Sequence, residues 1–466
     1  MPFTFLRRQP LCAVLTGLLL FSSVALARAP LARAAGDGAY VPHELIVGYT
    51  RSGAHAVARD AEAHLGMRRQ TTAPAPRSRV LHLARGVSVT AAAARLRREP
   101  GVSYAEPDYI AHEAGMFYPD DRGRANVRQG WEKLQWNMLP QAGVDAPWAW
   151  SNLLADHRPG GRGVVVAILD TGVAYRRWKQ FYPSPDFGRT RFVAPHDFVD
   201  NNAFPLDRDG HGTFVAGVVA ESTNNNLDLT GLAYGASIMP VRVLDSSGEG
   251  DELAIARGIR YAASHGAQVI NLSLEFLPTQ VTSASDIPEI VSAIAYARRR
   301  GVIVVGAAGN DQDNEVAYPA RVAGVISVGA TTLDRCLASY SNGGSTLDLV
   351  APGGGDDAIV SNDSDCHPAR SLPSIYQLTL TNPPRWAQFG FPNYYIGTSM
   401  ASPEVAAAAA MVIASGVVGR HPSPDAVLAR LEKTATPLGG SAPNALYGYG
   451  LLNAGAATAS PSQQLP

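Results

Sequence analysis

Cysteine is nearly missing from this chain: 466 residues carry three. Cys12 lies in the N-terminal segment, so Cys336 and Cys366 are the pair left to form a bridge further on. Charge is also scarce. Asp, Glu, Lys and Arg make up 17% and nearly cancel, to a net −1. That balance excludes partners held by bulk charge, such as nucleic acid or an anionic membrane. Beyond the N-terminus no apolar run is long enough to span a bilayer. The stretch from Ala406 to Val418 is too short, follows Glu404, and reads as a buried helix. There is no His-Glu-x-x-His motif, and Phe214 occupies the position three residues after His211, which argues against a metal site there. Asp-Thr-Gly occurs at Asp170 with no second Asp-Thr-Gly or Asp-Ser-Gly, which argues against two aspartates sharing a proton. No internal repeat is visible.

What is present suits a two- or three-domain α/β protein. Hydrophobic residues reach 46%, enough for a large core, and 45 glycines and 33 prolines suit many short loops. Residues 1–34 read as a signal peptide: Arg7 and Arg8, an apolar run from Leu11 to Leu26, then Ala25-Leu26-Ala27, with Ala32-Arg33-Ala34 as a second cleavage option. An uncleaved anchor is the alternative. Export favours a Cys336–Cys366 disulfide over two buried thiols. Its ~30-residue loop would contribute about 3–4 kcal/mol in a chain-entropy account.

Residues 41–113 form a self-contained pattern. Strands are expected over Glu44 to Tyr49, Arg79 to Leu83 and Val102 to Tyr109, and helices over Ala54 to Leu65 and Thr90 to Arg98. Residues 114–134 read as an exposed linker around Asp120-Asp121-Arg122-Gly123. From residue 135 to 458, apolar runs alternate with helical segments. Val164 to Leu169, Val269-Ile270, Val302 to Val305 and Val325 to Val328 are apolar on both faces, as in a mainly parallel sheet flanked by helices. Gly355 to Pro392 is weakly patterned, and 459–466 is a tail.

Three blocks carry the chemistry. Asp170-Thr171-Gly172 ends a buried strand with a carboxylate. Asp209-Gly210-His211-Gly212-Thr213 sets an imidazole between glycines. Gly397-Thr398-Ser399-Met400-Ala401-Ser402-Pro403 puts a serine where a loop enters a helix, with Pro403 suited to a first turn. A serine needs a base to become a nucleophile, and the base needs an orienter. Asn310, after Gly306-Ala307-Ala308-Gly309, offers an amide that with the Ser399 N–H could hold an oxyanion.

Together, in the order Asp, His, Ser, these blocks resemble the subtilisin-like serine proteases, the subtilases. The resemblance runs from about Gln135 to the Tyr447–Ala454 segment. It implies a subtilisin-like α/β fold preceded by a small α+β inhibitory propeptide, whose Glu106-Pro107-Asp108 end fits, with self-cleavage between Asp108 and Trp131. It implies a secreted endopeptidase acting on polypeptides through Asp170, His211 and Ser399, a monomer with its own propeptide as inhibitor. Ser273, Leu274, Ser247 and Gly248 would pair with substrate backbone, and Ala307, Ala308 and Gly309 would wall the primary pocket. No cofactor is required for the chemistry. Structural calcium is implied, with Asp197 and Asp200 as candidate ligands and Thr223 to Asp228 as a loop resembling a calcium segment. Glu275 stands where the family commonly has Gly, and would narrow the pocket, favour basic side chains, or face solvent. Phe214 and Glu404 replace frequent histidines and Ala407 a frequent glycine, with altered packing expected. The alternatives are a silent binding protein on this fold and a narrow-specificity processing protease.

Overall fold

The computed structural model describes residues 40–50, 68–69, 77–84, 87–109, 116–124, 126–359, 366 and 371–460. The signal segment and the helix expected over Ala54 to Leu65 lie outside the described residues.

The N-terminal part is a small antiparallel sheet with a helix. Its strands are β1 (Tyr40–Tyr49), β2 (Arg68–Arg69), β3 (Ser78–His82) and β4 (Val102–Tyr109), ordered β2-β3-β1-β4. Alternation along β1 buries Leu45, Val47 and Tyr49. Helix α1 (Val89–Leu96) brings Val89, Ala92, Ala93 and Leu96 to the same core, a spacing that places all four on one face. Ser88 caps it, accepting from the Ala91 N–H at 3.3 Å.

The larger part is a parallel sheet covered on both faces. Its strands are β5 (Val165–Asp170), β6 (Arg191–Phe192), β7 (His196–Asp197), β8 (Ser237–Arg242), β9 (Val269–Leu272), β10 (Ile303–Ala307), β11 (Val325–Thr331) and β12 (Leu349–Pro352). The order is β12-β11-β10-β9-β5-β8-β6, with β7 also on β8. A hairpin of β13 (Thr379–Leu380) and β14 (Phe389–Gly390) lies in the weakly patterned stretch. Sequence pattern missed β8, whose Pro240 and polar ends disguise a strand that is buried throughout.

The helices are α2 (Ala146–Ala155), α3 (His211–Ala220), α4 (Glu252–Ser264), α5 (Pro288–Arg299), α6 (Thr398–Ser415), α7 (Pro424–Thr434) and α8 (Ala454–Thr458). Helices α4 and α5 bury Ile255, Ile259, Ile290 and Ile294 against one face. Helix α6 packs on β9 to β12 and on α3 at the other. From Val405 to Val412 it is apolar all round because it is buried all round: each of these residues is fully inaccessible. The register aligns Leu169 with Leu272 and Leu272 with Gly306. Asp170, Ser273 and Ala307 therefore emerge side by side at the carboxyl edge, where sheets of this kind bind ligands.

The exposed linker expected over 114–134 is corrected from Phe117 onward. Asp121 and Trp131 are fully buried. The Arg122 and Gly123 N–H groups donate to the Leu227 and Asp228 carbonyls at 2.7 and 2.6 Å. Trp131 packs edge-on against Trp150 of α2. A run of Asp, Arg and Gly looks solvated in sequence. Here its carboxylates accept N–H groups from a facing loop about a hundred residues away, such as Asn224 and Asn225 on Asp121.

Candidate functional site

Asp170 ends β5 almost fully buried, and its Oδ1 lies 2.8 Å from His211 Nδ1. The Thr171 N–H donates to the same oxygen at 2.7 Å. His211 opens α3 after Gly210. A Cβ on Gly212 would overlap the Gly172 carbonyl oxygen, so glycine there lets the histidine loop close on the Asp170 strand. Asp207 organises this loop. Its carboxylate accepts from Asp209 N (3.0 Å), Gly210 N (2.9 Å), Thr213 N (2.9 Å) and Thr171 Oγ1 (2.9 Å). Burial pulls the His211 imidazole down, but the Asp170, Asp209 and Asp207 carboxylates outweigh it and push its pKa up to about 9.

Ser399 sits in the first turn of α6 and lines one cleft with His211. Its Oγ donates to the Ser273 carbonyl at 3.4 Å, the open arrangement common in unliganded sites of this kind. Pro403 lies inside α6 and not in its first turn, correcting the sequence expectation. Proline has no N–H for the Ser399 carbonyl four residues back. Ser273 Oγ supplies that donor at 2.8 Å, which ties the β9 edge to the helix start.

Asn310 Oδ1 accepts from Thr398 N at 2.9 Å and Thr398 Oγ1 at 3.1 Å. These two donors fix which way the amide points and leave its Nδ2 directed away from Thr398. Nδ2 donates to Glu275 Oε1 at 3.1 Å. Ser247, Gly248, Ser273, Leu274 and Glu275 line the cleft of about 750 Å³ with His211 and Ser399. Ala307, Ala308 and Gly309 are absent from that lining, and the Glu275 carboxylate lies against Gly309, 2.5 Å from where a Cβ would stand. Phe214 is fully buried and stacks on Tyr395 at 4.2 Å, whose ring lies 6.5 Å from that of His211. Cys336 and Cys366 are disulfide-bonded.

The Asp197 and Asp200 calcium candidates do not fit a metal ion. Both carboxylates accept from Arg242 Nη1 at 3.1 Å, and Asp200 also pairs with Arg208. Arg242, buried on β8, already supplies the positive charge there. The loop after Thr223 differs. Asp121, Asp186, Glu221 and Asp228 gather beside it, and burial, then their mutual repulsion in Asp186 and Glu221, pushes their pKa values up, to about 7 for Asp121 and Asp186. Among the described residues no three His, Cys, Asp or Glu side chains converge as a metal-ligand set. Loop amide and carbonyl oxygens would have to complete one, as suits calcium.

Sequence reasoning missed the roles of Asp207 in the histidine loop and of Thr398 on Asn310, and the Glu275–Asn310 contact. Asp207 carries the local signal of a carboxylate two residues before a turn. The other two depend on chain segments 88 and 35 residues apart.

An acid-oriented histidine sharing a cleft with a helix-entry serine, whose neighbour Thr398 holds a side-chain amide, is the equipment of a serine endopeptidase. Comparison with known proteins agrees. Residues 161–450 match the subtilase family model, and 27–108 match the fervidolysin N-terminal prodomain. The chain belongs to the subtilase family. It is 34% identical over 366 residues to a thermophilic serine proteinase of Bacillus sp. (strain AK1), covering 78% of this chain and 75% of that one. It is 36% identical to subtilisin Savinase of Lederbergia lenta, covering 67% of this chain and 98% of that one. A solved protease structure from Pseudoalteromonas arctica PAMC 21717 superposes with a TM-score of 0.58 at 29% identity, covering 73% of this chain and 99% of that one. The protein is thus a subtilisin-like serine protease with an N-terminal prodomain. Among the described residues no helix is long and apolar enough to cross a membrane.

Proposed function

We propose that this subtilase is an exported, self-maturing endopeptidase whose nucleophile is Ser399. His211 takes the Ser399 proton as Oγ attacks a peptide carbonyl, and returns it to the leaving amine. Asp170 holds the imidazole by Nδ1 and stabilises its cation. Asn310 Nδ2 and the Ser399 N–H receive the oxyanion, and water then hydrolyses the acyl-enzyme. The observation that carries this reading is the 2.8 Å Asp170–His211 contact in the cleft that Ser399 lines. Substrate backbone would extend along Ser247-Gly248 and Ser273-Leu274, a mode that reads main chain.

The same reading assigns residues 41–113 to the inhibitory prodomain. The burial of the chain from Phe117 onward favours processing between Asp108 and Phe117. Calcium is proposed at Asp121, Asp186 and the loop from Asn224 to Asp228, where its charge would keep the buried carboxylates ionised. Expression of wild type and Ser399→Ala with the export segment, followed by intact mass and fluorophosphonate labelling, tests the proposal. Wild type should shed the prodomain and label at Ser399, and the variant should do neither. A wild type that stays full length and unlabelled would refute it.

A further inference from the structure

Glu275 closes on the amide proposed for the oxyanion. Glu275 follows Ser273-Leu274 on one wall of the cleft, and its carboxylate crosses to the other. Oε2 accepts from the Asn310 backbone N–H at 3.2 Å, and Oε1 accepts from Asn310 Nδ2 at 3.1 Å. It rests on Gly309, where a Cβ would overlap Asn342 Nδ2 and stand 2.5 Å from Oε2, so only glycine fits beneath the carboxylate. Thr398 holds the other end of the same amide, which cannot turn away without losing two hydrogen bonds.

We propose that Glu275 is a charge-sensitive specificity residue: it selects a basic side chain in the primary pocket, and pairing with that cation releases the Asn310 amide for the oxyanion. The inference rests on the serine-protease reading above. When Ser399 Oγ bonds to the carbonyl carbon, the π pair moves onto the carbonyl oxygen, and the Ser399 proton goes to His211. Nδ2 must then serve a new anion while already serving an old one. Two like charges sharing one amide inside a cleft repel enough to slow a reaction by roughly tenfold to a hundredfold. An arginine or lysine side chain brings the charge that cancels Glu275, whereas an apolar one buries it unpaired.

The surroundings agree. The walls expected for the primary pocket, Ser273-Leu274 and Ala307-Ala308-Gly309, carry no charge of their own, and Glu275 follows directly on the first of them. Burial, then repulsion from Asp311, makes the ionised form of Glu275 costly in the empty site, so a cation is a favourable guest.

The test uses the mature enzyme, Glu275→Gln and Glu275→Gly, each titrated with a fluorophosphonate to count reactive Ser399. Two chromogenic peptides differ only in carrying arginine or phenylalanine at the residue whose carbonyl is attacked. Wild type should prefer arginine by about tenfold or more in kcat/KM, with part of the preference in kcat. Both variants should cleave the phenylalanine peptide with raised kcat and lose most of that preference. Gln keeps an acceptor for Asn310 but not the charge, so a purely structural role for Glu275 would leave the preference in place. Fully labelled enzymes whose arginine-to-phenylalanine ratio is the same in all three overturn this proposal alone, as does a wild type preferring phenylalanine. Proteins that neither label nor cleave overturn the serine-protease reading with it.

Discussion

Replacing Glu404 by glutamine should stabilise the protein at alkaline pH and do little at mildly acid pH. Glu404 lies fully buried in α6, one turn past Ser399. Its Oε1 accepts from Asn137 Nδ2 at 2.7 Å. Its Oε2 and Asn137 Oδ1 are both buried acceptors without a partner. A proton on the carboxyl turns one of these orphaned acceptors into a donor and removes the buried charge. Burial raises the Glu404 pKa well above the ordinary carboxylate value, and no cation compensates it, only the Asn137 amide. The folded-state pKa is raised, so the stability it brings is full below the unfolded pKa and is lost as pH climbs toward the folded one. Between those values each pH unit removes about 1.4 kcal/mol. For a domain of this size that is roughly 2 °C of Tm per unit. Glutamine has the same shape, offers the donor at every pH, and escapes the penalty. The assay compares Ser399→Ala with Ser399→Ala/Glu404→Gln by thermal melts from mildly acid to alkaline pH, the shared substitution preventing autolysis. The gap between them should widen steadily with pH. Parallel melting curves would show that Glu404 does not hold a buried proton.

Four other outcomes are expected. Asn310→Ala should lower kcat by about 10²–10³ with little change in KM, the loss known for an oxyanion-hole donor in a subtilisin, and a change confined to KM would contradict its role. His211 must be neutral to act as base and its pKa is pushed up to about 9, so kcat/KM should rise with pH through that value and fall toward acid. Asp209→Asn removes one of the raising carboxylates and should move the profile to lower pH; an unmoved profile would dissociate Asp209 from the histidine. Chelator should lower the Tm of Ser399→Ala and leave the Tm of Ser399→Ala/Asp121→Asn unchanged, whereas equal responses in the two would place any calcium elsewhere.

Much of this molecule was legible in its sequence. The runs at Val164 to Leu169, Val302 to Val305 and Val325 to Val328 are strands of the parallel sheet, because a strand buried on both faces must be apolar at successive positions. Asp170, His211, Ser399 and Asn310 could be singled out because each stands in a short local setting, a strand end, a glycine-flanked turn or a helix entry. The prodomain strands and α1 follow from local alternation and helical spacing.

Tertiary structure decided the rest. Asp197 and Asp200 read as cation ligands until β8 brought Arg242 to them from more than forty residues away. Asp120-Asp121-Arg122-Gly123 read as solvated until the loop after Thr223 took its carboxylates. Glu275 was an isolated departure until the register of β9 against β10 set it opposite Asn310. Sequence determined which groups have the chemistry and which segments must be buried, because both are properties of a residue and its near neighbours. Which charge meets which is fixed by sheet register and chain crossings, and these exist only once the whole core has packed.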